Sequence, residues 1–247
     1  MLLLDTKGSY HAALAEVNAI PVPPATDSYR PVPNGDLIWM IEERADKLLS
    51  LPVTSRRLGL SQKGQQMFGV ITFDVDNAEK GLSIGFRNSY NKTLSVGLCA
   101  GQSVFVCSNM CFSGDEVFKP RKHTVHAWDD ILKLINHAVL SASEQYTKLD
   151  EDFDVWKQVE ISERQGAALI GQAIYDANVL RPQQATTAFG DWRKARHPEF
   201  KERTAWSLYN CFTEAIKRTP AGQIMDAQID VHRWFRERHA NEWNLAA

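Results

Sequence analysis

Apolar and polar positions alternate with period two in three runs between Phe68 and Cys99. Phe68, Val70 and Thr72 interleave with Gly69, Ile71, Phe73 and Val75. Leu82, Ile84 and Phe86 interleave with Ser83, Gly85 and Arg87, and Leu94, Val96 and Leu98 with Ser95, Gly97 and Cys99. Successive side chains on a strand point to opposite faces, so each run predicts a strand that buries one face. Val104 to Cys107 is apolar throughout and predicts a strand covered on both sides. Turn-forming residues separate the runs at 76–81, 88–92 and 100–102, and connections this short favour an antiparallel meander. Its less apolar face would carry Ser83, Gly85, Ser95 and Gly97, with Arg87 at the end. Glycine inside a strand marks close approach by another group. Two occupants suit such a face: a tightly packed helix, which is the commoner arrangement, or an extended polymer such as single-stranded nucleic acid.

Outside this block the apolar period becomes helical. Leu37, Ile41, Ala45 and Leu48 share a stripe of a helix over 36–50, capped by Asn34 or Asp36 and stopped by Pro52. From Arg56 to Gln66 a polar run leads into the sheet. Trp128, Ile131, Leu132, Ile135, Val139 and Ala142 predict an amphipathic helix over 127–148, ended by the acidic residues at 150–154. Ser162 and Gln165 fit a capping box that opens a helix through Ala168, Leu169, Ala173 and Ile174. Pro182 opens a short helix with Phe189 and Trp192 turned inward. Thr204 to Glu214 predicts another, and Pro220 the first turn of a last one through Ile224, Ala227, Val231, Trp234 and Phe235. Five prolines between Pro21 and Pro33 make residues 1–35 an irregular, extended arm, whose Ile20, Val22 and Val32 favour docking on the body. The prediction is an α+β fold, with an antiparallel sheet of four or five strands and a mainly helical C-terminal half. It comprises the arm and a single domain over 36–247, with the sheet core at 67–124 and the helical part at 127–243.

Composition narrows the function classes. With 247 residues, 44% of them hydrophobic, the chain can bury a sizeable core. A net charge of -2 argues against binding nucleic acid over the whole surface. The charges are unevenly spread: Ser55 to His126 holds nine Lys/Arg against five acids, and Asp129 to Glu163 nine acids against three lysines. Four cysteines form no disulfide framework in a chain of this length. The opening MLLLDTKG lacks a signal peptide's basic flank and apolar length, and no run approaches the ~18 apolar residues of a membrane span. A cytoplasmic location is expected.

Arg87-Asn88-Ser89-Tyr90 with Lys92, then Gly101 with Val104-Phe105-Val106-Cys107 and Asn109, then Arg121-Lys122-His123-Thr124, form one set of motifs. Thr204-Ala205-Trp206-Ser207-Leu208-Tyr209-Asn210 with Thr213-Glu214 forms a second. Together they resemble the phage/plasmid-like protein family, built on domain of unknown function 932. The resemblance implies a mobile-element origin and a part in phage or plasmid DNA metabolism. It carries over no catalytic residue, since the family has no settled activity.

The candidate chemistry is sparse. Arg121, Lys122 and His123 can neutralise phosphates, and with Arg87, Asn88 and Lys92 they would form one basic rim if the fold joins the two turns. The bland alternative is a solvated loop paired with Asp115, Glu116 or Asp129. Cys107 and Cys111 followed by His123 and His126 approach a zinc-binding spacing, although the gaps are tighter than usual. Asp74 and Asp76 share a strand face and could hold a divalent ion in a nuclease, but solvated acids at a strand end are more common. Trp206, Tyr209, Phe212, Trp234 and Phe235 could stack on bases, yet at helical spacing they fit a core better. No phosphate-loop, dinucleotide or H-E-x-x-H motif is present, so no cofactor and no catalytic residue is expected. The leading expectation is non-enzymatic binding of single-stranded nucleic acid, annealing or protecting it if the protein forms a homo-oligomer. One alternative is an interaction module for a host protein, using the acidic 150–154 stretch and the proline-rich arm. Another is a metal-dependent nuclease.

Overall fold

The computed structural model describes residues 8–75, 80–104, 109–112, 127–175, 179–220, 223–241 and 243, with backbone alone at 103–104, 109–112 and 127. Its elements run β1 (Ser9–His11), α1 (Leu14–Ala19), α2 (Asn34–Leu49), β2 (Val53–Ser61), β3 (Gln66–Phe73), β4 (Lys80–Ser89), β5 (Gly97–Val104) and β6 (Asn109–Phe112), followed by α3 (Ala127–Gln158), α4 (Glu163–Tyr175), α5 (Pro182–Arg193), α6 (Ala205–Ala215) and α7 (Ile224–Ala240). The six strands lie in sequence order and every neighbouring pair is antiparallel. This is the α+β meander that the alternating pattern predicts. No helix among the described residues is long and apolar enough to cross a membrane.

The sheet separates two cores. On one face Met67, Ile71, Phe73, Leu82, Ile84, Phe86, Leu98 and Ala100 meet Leu37, Ile38 and Ile41 of α2 and Ile131, Ile135 and Val139 from the first half of α3. On the other, Phe68, Val70 and Cys99 meet Leu149, Phe153 and Trp156 from the second half of α3, with α4 to α7 behind them. The face of small residues is therefore covered by helices. Ser83 is fully buried against Thr72, their hydroxyls 3.0 Å apart, and Gly85 and Gly97 are buried too. Gly69 answers to the opposite face: a Cβ there would lie 2.1 Å from Phe86 Cζ, so the glycine admits the ring.

Several elements depart from the sequence pattern. β2 occupies the polar run expected as a connection, because Leu58 and Leu60 turn into the first core while its other residues face outward or pair with β1. β5 starts at Gly97, not Leu94. The turn expected at 100–102 lies within β5, which runs on to Val104, and residues 105–107 of the strand expected over Val104 to Cys107 lie outside the described residues. α2 is preceded by Pro33; Asn34 is its first residue and caps nothing. α7 begins at Ile224, four residues beyond Pro220. Residues 14–19 form a helix with Val17 buried, and of the apolar residues after it Val32 is buried and Val22 exposed.

The largest departure is α3, which continues through the acids at 150–154 for a total of 32 residues. Leu149, Phe153 and Trp156 extend its apolar stripe into the second core, all fully buried. The acids that flank the stripe find partners. Asp150 pairs with Lys80, Asp154 with Lys157 at 2.9 Å, and Asp152 lies 3.1 Å from His232 Nε2 and 3.4 Å from Arg236 Nε. Apolar burial and pairing outweigh the weak helix propensity of aspartate.

Candidate functional site

The first motif, Arg87 to Tyr90, forms a knot at one end of β4. Arg87 runs across Gly97, is 7% exposed, and places Nη1 3.3 Å from Asp226 Oδ2 in the first turn of α7. Asn88, fully buried, donates from Nδ2 to the Val32 carbonyl and to Asn34 Oδ1, both at 2.8 Å, and accepts from the Ser89 N–H at 2.9 Å. Ser89 Oγ donates to the Leu94 carbonyl at 2.8 Å and accepts from its N–H at 3.0 Å. Tyr90 Oη accepts from the Asn34 N–H at 2.9 Å, and burial pushes this phenol's pKa up. These bonds satisfy buried polar groups and tie the proline-rich segment to the sheet. Arg87 and Asn88 are thus interior groups. Of the expected rim, only Lys92 stands at the surface among the described residues; Arg121, Lys122 and His123 lie outside them.

The knot also joins two turns. The Tyr90 N–H donates to the Gln65 carbonyl at 2.8 Å, and Gln66 Nε2 donates to Thr93 Oγ1 at 2.8 Å, which in turn donates to Asn91 Oδ1. The β2–β3 turn and the β4–β5 loop therefore form one end of the sheet. Gln62, Lys63 and Gly64 all have positive φ, at 51°, 57° and 83°, and Lys92 has φ of 61°. Left-handed backbone costs a side-chain-bearing residue roughly 1 kcal/mol, and such residues cluster at functional sites. Both lysines are exposed, and the Lys92 ammonium sits 4.3 Å from the centroid of the Tyr29 ring.

One face of β1 and β2 lies outside the second core, although Gly59 and Ser61 on it are buried. Arg57 shares a face with Ser55, Gly59 and Ser61 of β2 and with Ser9 and His11 of β1, as the pairing register dictates. The second core takes residues from β3 and β5 on this face, and none from β1 or β2 among the described residues. Ser55 and Arg57 are half-buried and His11 is exposed. Arg57, Lys63 and Lys92 have no carboxylate partner among the described residues. Lys63 and Arg57 were missed as site residues because nothing local marks them; only the tie between the two turns sets Lys63 at the same end of the sheet as Lys92.

The remaining candidates resolve less favourably. Asp74 is exposed just past β3, while Asp76 lies outside the described residues, as do Cys107, His123, His126 and the side chain of Cys111. Among the described residues no group of three His, Cys, Asp or Glu side chains is placed to hold a metal. Cys99 and Cys211 are buried free thiols, and desolvation pushes both pKa values up, which disfavours the reactive thiolate. The second motif forms α6, buried almost throughout. Thr204 Oγ1 caps it by accepting from the Ser207 N–H at 3.2 Å, and Asn210 Nδ2 donates to the Trp206 carbonyl at 2.9 Å. Its rings are packed: Trp206 lies 4.4 Å from Phe153, Tyr209 5.1 Å from Trp156, and Phe212 5.4 Å from Trp234, centroid to centroid. These aromatics are core and offer nothing to a base.

Arg87 to Tyr90 and Thr204 to Glu214 thus serve the architecture, one as a polar knot and the other as a central helix. Among curated proteins and solved structures, none matches the chain. A family model described as Domain of unknown function (DUF932) matches residues 28–242, from the knot's proline-rich tether to the end of α7. The chain belongs to that family.

Proposed function

We propose that this is a phage- or plasmid-type protein of DNA metabolism that binds single-stranded nucleic acid at the turn end of its sheet. The observation that carries the reading is the cross-tying of two turns. It brings Lys63 and Lys92 to one end of the meander, with the half-buried Arg57 further along β2, and none of the three has a carboxylate partner among the described residues. Unpaired cations along a surface of small polar side chains suit a phosphate backbone, since each neutralised phosphate releases counterions. Three cations give a modest contact, so tight binding requires several copies along one strand, and a homo-oligomer is part of the proposal. Arg121, Lys122 and His123 enter it as a second basic segment.

The test is fluorescence anisotropy of a labelled oligothymidine titrated with the full chain. Removing the three cations together (Arg57→Ala, Lys63→Ala, Lys92→Ala) should weaken binding at least about tenfold, and the salt slope of the native protein should fall near about -2. Unchanged affinity in the triple variant would exclude this surface. A loss confined to Arg121→Ala/Lys122→Ala would move the site to that segment.

A further inference from the structure

A second surface is built differently. α1, the segment after it and α2 enclose a groove of about 480 Å³. Leu14, Val17, Ile20 and Ile38 line it, and Val17 and Ile38 are almost wholly buried. The walls meet closely at Gly35, where a Cβ would come within 2.2 Å of Asn18 Oδ1, so a side chain there would have to displace the Asn18 amide. At the rim stands Trp39, 62% exposed, with no ring or cation against its indole among the described residues. An indole this exposed beside an apolar cleft leaves its π face vacant.

The charges at the rim discriminate between occupants. Asp36 precedes Trp39 by three residues on α2, so the two share a helix face. It is exposed and pairs with no cation among the described residues. Glu42, three residues beyond Trp39, is already held by Arg56 through both carboxylate oxygens. The groove therefore combines an apolar floor, a vacant π face and one unneutralised carboxylate. A guanidinium or ammonium group satisfies the last two at once, stacking on Trp39 while it pairs with Asp36. A phosphate backbone or an acidic peptide would be repelled by the same carboxylates.

We propose that this groove receives a basic segment of another protein, one that presents an arginine or lysine beside aliphatic side chains. The cation sits between Trp39 and Asp36, and the aliphatic neighbours cover Leu14, Val17 and Ile20. The mode is side-chain capture in a groove by anchor residues. It uses none of Arg57, Lys63 or Lys92, so it stands or falls apart from the nucleic-acid reading.

The probe is a short labelled synthetic peptide of leucine, alanine and arginine, titrated by anisotropy against the full chain. Two control peptides replace arginine by glutamate or leucine by serine. The arginine peptide should bind and both controls should not. Trp39→Ala should weaken binding about tenfold and Asp36→Asn about fivefold, with Asp36→Glu restoring most of the loss. Both side chains are exposed, and unchanged circular dichroism would show that the variants fold. Equal binding of the glutamate peptide, or full affinity in Trp39→Ala, overturns the proposal. So does self-association in sedimentation that Trp39→Ala abolishes, since a second copy would then be the occupant. Loss of oligothymidine binding in Trp39→Ala overturns it as well, by assigning the indole to nucleic acid.

Discussion

Asn88 shows how a residue can look like a site and act as a fastener. Its place in a polar turn after an alternating run suggested a surface group. Instead, three hydrogen bonds to Val32, Asn34 and Ser89 occupy its amide, in a position without solvent access. Removing such a group leaves buried partners unsatisfied, at a cost on the order of 2 kcal/mol. Asn88→Ala should therefore lower the urea midpoint by that equivalent and loosen the tie between 29–34 and the sheet, detectable as faster amide exchange there. A stability change of only a few tenths of a kcal/mol would remove the knot from the account. Arg87 teaches the same lesson through charge, since its guanidinium is directed to Asp226, 139 residues away. Local sequence contains no sign of a partner that distant.

At the scale of elements, α3 is where propensity and packing disagree and packing prevails. A run of aspartates reads as a break, yet the positions between them keep the helical apolar period through Leu149, Phe153 and Trp156. If the stripe is what holds the helix, exposed acids are incidental to it. Glu151→Ala should change stability by less than about 0.5 kcal/mol. Phe153→Ala should cost about 3–5 kcal/mol, because it empties a fully buried ring site packed against Trp156, Trp206 and Tyr209. Denaturant titration of the two variants checks this, and a similar loss in both would return the acids to a structural role. The capping box at α4 was legible, and Ser162 and Gln165 exchange their expected bonds at 2.9 and 3.3 Å. Such a device acts within four residues, so sequence suffices. β2 was not legible, because an edge-side strand with Arg56 and Arg57 has too little apolar alternation to declare itself.

At the scale of the whole molecule, α3 contributes its first half to one core and its second half to the other. The two cores share that helix and the sheet between them, so neither retains its packing once the other is lost. Unfolding in urea followed by tryptophan fluorescence, whose buried reporters Trp156, Trp192, Trp206 and Trp234 lie in the second core, should coincide with unfolding followed by far-ultraviolet circular dichroism. Separated midpoints would mean that the cores melt independently. The sequence by itself determined the class of the protein, the meander and the helices after it. Those follow from side-chain periods of two and 3.6, which every short segment carries. Tertiary structure alone decided that both faces of the sheet are covered, which cations reach the surface and where Trp39 finds its groove. Each of these depends on contacts between segments far apart in the chain, and a covered glycine strand has the same local pattern as an exposed one.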